Sequence, residues 1–141
     1  MTFDVTWGGD ATGGADKVST VEDLDQVLDS ITVAPGERPY SVAIIVPDGS
    51  RYPVTLEIGI GHAERSFAYY IGPGDDDAAW AFQPELAPME GIVVDYAGQP
   101  TEVWPERSRV SVQAARAAAR RFVATGGRRP DNLSWDDVGE E

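Results

Sequence analysis

The stretch SVAIIVPDGSRYPVTLEIGI, residues 41–60, decides how the rest of the chain is read. Ser41 to Val46 is a short run rich in β-branched and apolar residues, the composition of a strand. Pro47-Asp48-Gly49-Ser50 follows, and Asp-Gly supplies the positive φ that tight hairpins demand. The return strand runs through Tyr52, Val54, Leu56, Ile58 and Ile60. Its alternation is clean, so one face is core and the other holds Thr55 and Glu57. Gly59 and Gly61 mark a bulge or a close backbone approach at the strand's end.

Outward from this hairpin, the same reading gives further strands and two helices. Toward the N-terminus, Phe3, Val5 and Trp7 alternate with polar residues as a short edge strand, and GGDATGGAD, residues 8–16, is a Gly-rich loop. Ser19 with Glu22 forms a capping box that opens a helix, in which Val21, Leu24, Val27, Leu28 and Ile31 recur at helical spacing. Glu22, Asp23, Asp25 and Asp29 lie on its outward face with no basic residue among them, and Pro35-Gly36 closes the region.

Toward the C-terminus, Ser66 to Ile71 is a strand, residues 72–77 form an acidic loop, and Trp80-Ala81-Phe82 is a short strand. Gln83 to Gly91, with Pro84 and Pro88, is an irregular connection. Ile92–Tyr96 and Thr101–Trp104 frame a second hairpin around residues 97–100. A helix follows with Ser108 or Ser111 as N-cap. Its stripe is Val112, Ala115, Ala119, Phe122 and Val123, and Thr125-Gly126-Gly127 is its stop. Residues 132–135 form a last short strand. Hairpins dominate, so the expected fold is α+β: one domain over residues 1–141, a mostly antiparallel sheet of about six strands with two helices packed on one face.

The 141 residues carry 24 acids against 11 bases, one histidine and no cysteine, a net charge of −13. Such a surface repels nucleic acid and anionic membrane and attracts basic proteins within a Debye length of ~8 Å. The charge is uneven: residues 1–106 hold 19 acids and four bases, residues 107–141 five acids and seven bases. Arg116, Arg120, Arg121, Arg128 and Arg129 are the one candidate nucleic-acid patch, but counterion-release binding there opposes the field of the acidic body. Pairing with the chain's own acids, Asp95 and Glu102 among them, or with backbone carbonyls is the reading preferred for these arginines. Lacking cysteine, the chain has no disulfide and no thiolate chemistry. The start MTFDVTWGGD has no signal-peptide pattern and no apolar run reaches the ~20 residues of a membrane span, so a cytoplasmic location is expected.

Little catalytic chemistry is visible. His62, in Gly59-Ile60-Gly61-His62-Ala63-Glu64, is a candidate general base beside Glu64 or Asp95, with no second histidine and no nucleophile elbow near it. Gly59 and Gly61 are not followed by the residues a phosphate loop needs. Asp75, Asp76 and Asp77 are adjacent, whereas a calcium loop spaces its oxygens at alternate positions. No cofactor or metal is expected. The acidic loop and Trp80 together resemble an interaction hot spot, an aromatic anchor ringed by charge, although a Trp in a strand is equally a core residue. His62, Glu64, Asp75, Asp76, Asp77 and Trp80 are therefore the candidate partner-binding residues, with Tyr69 or Tyr70 beside them, whichever faces outward.

The C-terminal third carries a resemblance. The run from Ala119 through Arg120-Arg121-Phe122 and Thr125-Gly126-Gly127-Arg128-Arg129-Pro130, then Leu133-Ser134-Trp135, resembles the close of the Imm1 family of bacterial immunity proteins, a helix running into a T-G-x-R-P turn and a short segment ending in Trp. Leu56–Gly61 looks like that family's central strand and Asp95–Pro105 like its second hairpin, and the layout covers nearly the whole chain. The resemblance implies a non-enzymatic protein that neutralises a cognate secreted toxin of a polymorphic toxin system, commonly a nucleic-acid deaminase and sometimes a nuclease. Toxins of that kind hold a polyanion in a basic groove, which an acidic decoy can occupy. The competing readings are an acidic adaptor for another basic protein and a small hydrolase using His62.

Overall fold

The computed structural model describes residues 2–8, 14–31, 40–49, 54–72, 78–96 and 99–137. The elements run β1 (Phe3–Trp7), β2 (Gly14–Val18), α1 (Val21–Ser30), β3 (Tyr40–Pro47), β4 (Thr55–Ile60), β5 (Arg65–Ser66), β6 (Ala68–Ile71), β7 (Ala78–Phe82), β8 (Val93–Tyr96) and β9 (Gln99–Glu102). A 3-10 turn (Pro105–Ser108), β10 (Val110–Ser111), α2 (Val112–Ala124) and β11 (Ser134–Asp137) complete the order. The fold is α+β, with a mostly antiparallel sheet and, among the described residues, two helices and nine strands in that sheet rather than about six. The extra strands have weak signals. Gly14–Val18 lacks apolar alternation because it is an edge strand exposed along most of its length, so it does not stand out from the Gly-rich loop. Ser134–Asp137 overlaps the last short strand read at residues 132–135, and β5 and β10 are two-residue strands that pair with each other outside this sheet.

The sheet order is β11-β7-β6-β4-β3-β1-β2. The hairpin read from residues 41–60 is its centre, with Ile45 opposite Leu56 and Ala43 opposite Ile58. Strand β3 divides its other edge. Ala43–Pro47 pairs antiparallel with β1, while Tyr40 and Ser41 pair parallel with Val94 and Asp95 of β8. Strand β8 carries β9 as a two-stranded arm, with Val93 opposite Glu102 and Tyr96 opposite Gln99.

Alternation along these strands sorts the side chains into two apolar clusters. On one face Val5, Ile45, Leu56, Ile58 and Tyr70 meet Leu24, Val27 and Leu28 of α1 and Ala115, Phe122 and Val123 of α2. The Phe122 ring is fully buried against Phe3, 5.6 Å between centroids. On the other face Val42, Phe67, Ile92, Val94 and Val103 form the second cluster, with Tyr69, Trp80 and Met89 packed on it. The β8–β9 arm and the connection before it thus cover a face of β4 that its alternation assigns to polar residues. Glu57 on that face is buried, 4% exposed.

The helix ends follow local chemistry. Thr20, rather than Ser19, caps α1: its side chain accepts from Asp23 N at 3.1 Å, and the Asp23 carboxylate accepts from Ser19 N. Ser111 caps α2 in the same way, accepting from Ala114 N at 3.0 Å. Gly126 and Gly127 close α2 with φ of 74° and 97°, and Gly127 N donates to Phe122 O.

The arginines of α2 are occupied within the protein. Arg116 reaches Asp29 and the carbonyl of Asp25, Arg120 pairs with the Asp25 carboxylate, and Arg121 pairs with Asp131. The acidic face of α1 therefore finds its cations on α2. These ion pairs lie on the helical side and not on the second hairpin. Other arginines cap carbonyls: Arg65 donates to Ala87 O and Ser108 O, and Arg109 to Leu86 O and Pro84 O. Together with Ser108, whose hydroxyl donates to Met89 O and accepts from Met89 N, they pin the irregular 83–91 segment against the turn that leads into α2.

Candidate partner-binding site

The outer face of the sheet holds a cleft of about 250 Å³ between β4, β6, β7 and the β8–β9 arm. Its register is simple: Glu57 of β4 lies opposite Tyr69 of β6, and Tyr69 lies opposite Trp80 of β7. The three side chains therefore stand in a row across the sheet. Tyr69 and Trp80 are stacked, with centroids 4.3 Å apart and planes at 24°. Phe67 meets Trp80 at 5.7 Å in a tilted pair.

Trp104, which follows the arm, is 59% exposed, and Tyr96 on β8 is 37% exposed; they are the exposed large hydrophobics of the described residues. Arg107 bridges this aromatic surface. Its guanidinium carbon lies 4.4 Å from the Trp80 ring centroid and 4.6 Å from that of Trp104. The run Tyr69, Trp80, Arg107, Trp104 is one continuous set of ring and cation contacts.

Glu57 is set among these aromatics. The Tyr96 hydroxyl lies 2.7 Å from each of its carboxylate oxygens. A phenol has one proton to donate, and an ionised carboxylate has about four acceptor positions. Burial pushes the Glu57 carboxyl above its usual range, with the Tyr96 hydrogen bond opposing that rise. Burial and the adjacent carboxylate likewise raise the Tyr96 hydroxyl above its ordinary value. Among the described residues no cation comes within ion-pair distance of Glu57, although Arg107 lines the same cleft.

The candidate residues read from sequence fall in different places. Trp80 is in the cleft, half-buried, both packed and presented. Tyr69 is the outer tyrosine; Tyr70 points into the helix-side core. Asp75, Asp76 and Asp77 lie outside the described residues. His62 and Glu64 belong to the turn after β4. Nδ1 of His62 accepts from Glu64 N and Arg65 N, both at 3.0 Å, and its ring meets Tyr40 edge-on at 5.4 Å. His62 lines a separate hollow with Asp29 and Arg116, while Glu64 is exposed. The structure does not bring these two into the Trp80 cleft. Among the described residues, no group of three or more His, Cys, Asp or Glu is placed to hold a metal ion, and no helix is long and apolar enough to cross a membrane.

Sequence reasoning missed Glu57, Tyr96, Trp104 and Arg107. The strand read as Thr101–Trp104 ends at Glu102, which leaves Trp104, just before Pro105, past the hairpin with its ring exposed. Nothing local marks Glu57, because its burial depends on an arm forty residues away.

The family model described as Immunity protein Imm1 matches residues 13–137. The chain belongs to the Imm1 family of immunity proteins. That match takes in both helices, the whole cleft and the terminal Trp135 strand. No curated protein and no solved structure matches the chain.

Proposed function

We propose that this Imm1 protein neutralises a cognate secreted toxin, a nucleic-acid deaminase or nuclease, by covering the toxin's basic substrate-binding surface in the cytoplasm of the producing cell. Membership of the immunity family carries the reading. The charge of −13 supplies the mechanism: an enzyme that holds a polyanion presents a basic groove, and an acidic scaffold is steered to it. Exposed aromatic surface beside that charge supplies desolvated anchors, each worth roughly 2 kcal/mol or more where it fills a pocket. The contact set comprises Trp80 with the Asp75–Asp77 segment directly before its strand, and Glu64 and His62 as a flanking contact. No catalytic step by this protein is part of the mechanism.

The test is co-expression with the toxin encoded beside it. Co-purification of the two proteins and loss of toxin activity in a nucleic-acid assay are expected. A toxin that stays fully active in the presence of excess partner overturns the reading.

A further inference from the structure

We infer that the cleft over Glu57 is the receptor for a single cationic side chain, an arginine or lysine of the partner protein, held between aromatic walls and paired with the Glu57 carboxylate. The inference rests on the immunity reading for the identity of the partner, but its chemistry stands on the cleft itself.

Size is the first argument. About 250 Å³ falls below the ~300–1,000 Å³ of small-molecule sites. It suits one long side chain, the way an interface hot spot is filled. Charge is the second. Glu57 is 4% exposed and lines the cleft, with one hydroxyl donor and no cation within ion-pair reach among the described residues. A buried carboxylate in that condition is costly, and a cation delivered to it relieves the cost. The third argument is the walls. Tyr69, Tyr96 and Trp104 line the same space beside a Trp80 ring already held by Tyr69 and Arg107, and aromatic faces attract cations most when water is excluded. Arg107 shows that this surface takes a guanidinium, since its own is held over Trp80 and Trp104 and not on Glu57. Glu102 on the cleft wall adds to the negative potential at the mouth. A basic partner also fits the charge of the whole chain, whereas an anionic insert would meet both glutamates.

The experiment needs no toxin to begin. The protein is titrated with acetyl-arginine amide and with acetyl-citrulline amide, its neutral isostere, following the indole N–H signals of Trp80 and Trp104 by NMR. Saturable shifts are expected with the arginine compound, with affinity at least about fivefold above citrulline. Glu57→Gln is expected to abolish that preference, and Trp104→Ala to weaken binding of the arginine compound. Equal responses to the two compounds, no saturable response, or a preference unchanged in Glu57→Gln overturns the inference. Should Glu57→Gln fail to fold, Trp104→Ala decides alone, because that ring is mostly in solvent.

Toxin binding is then measured. Given a wild-type protein that binds its toxin, Glu57→Gln and Trp104→Ala are each expected to weaken the complex at least about tenfold. Full binding by both variants sinks the inference and leaves the immunity reading intact. A wild-type protein that ignores the toxin sinks that reading instead.

Discussion

Glu57 is the residue whose surroundings conflict most with its chemistry. Strand alternation places it on the outer face of β4, and the β8–β9 arm then removes it from water, with Tyr96 as its side-chain donor among the described residues. Because burial raises its pKa, the folded protein holds this proton more tightly than the unfolded chain does. The associated stability is therefore complete at acidic pH and is lost as pH rises through the folded pKa. At neutral pH an ionised Glu57 costs stability. Glu57→Gln keeps an acceptor for Tyr96 and removes the charge. It is expected to raise the stability of the free protein at neutral pH. The gain should shrink as pH is lowered toward 4.5, the ordinary glutamate value. Urea denaturation of both proteins across that range checks it, and a gain independent of pH would contradict the account. Stabilising the free protein while weakening the complex is the signature of a side chain kept for binding.

At the scale of elements, the turn after α2 is the most constrained junction. Gly127 has φ of 97°, and a Cβ there would lie 3.0 Å from Pro47 Cγ and 3.1 Å from Val54 Cγ2. Gly127→Ala thus meets both left-handed strain and the end of the central hairpin. A loss of at least about 1–2 kcal/mol is expected, seen as a lower Tm. The Thr125-Gly126-Gly127 stop was legible in the sequence because its requirement is local, as was the period-two hairpin at residues 41–60. Strand β2 was not legible, since Gly-Ala-Asp-Lys-Val is held by pairing with β1 and not by an apolar stripe of its own. The helix start was read one residue early: Ser19 and Thr20 are equally good caps, and only the position of Asp23 selects Thr20. Of the cleft, Trp80 was visible as an aromatic next to an acidic loop. Glu57, Tyr96 and Arg107 were not, because their meeting is a product of the parallel pairing between β3 and β8.

For the whole molecule, the proposed decoy mechanism makes charge govern encounter more than grip. With a net charge of −13, association with a basic toxin should be fast at low ionic strength and slow by about tenfold or more as salt rises, while dissociation changes little. The double variant Asp75→Lys with Asp77→Lys is expected to slow association further and to leave the thermal unfolding curve unmoved. Surface plasmon resonance across a salt series separates the two rates. An association rate insensitive to both salt and these substitutions would remove long-range attraction from the mechanism.

The large sheet separates two tasks. On β4, β6 and β7, Leu56, Ile58, Ala68, Tyr70 and Ala81 pack in the helix-side core, while Glu57, Tyr69 and Trp80 between them line the aromatic cleft. Were the cleft the toxin contact we propose, a lineage facing a new toxin could rewrite the outward positions and the β8–β9 arm while the inward set goes on specifying the same scaffold. Diversification against an adversary becomes a matter of parity along three adjacent strands.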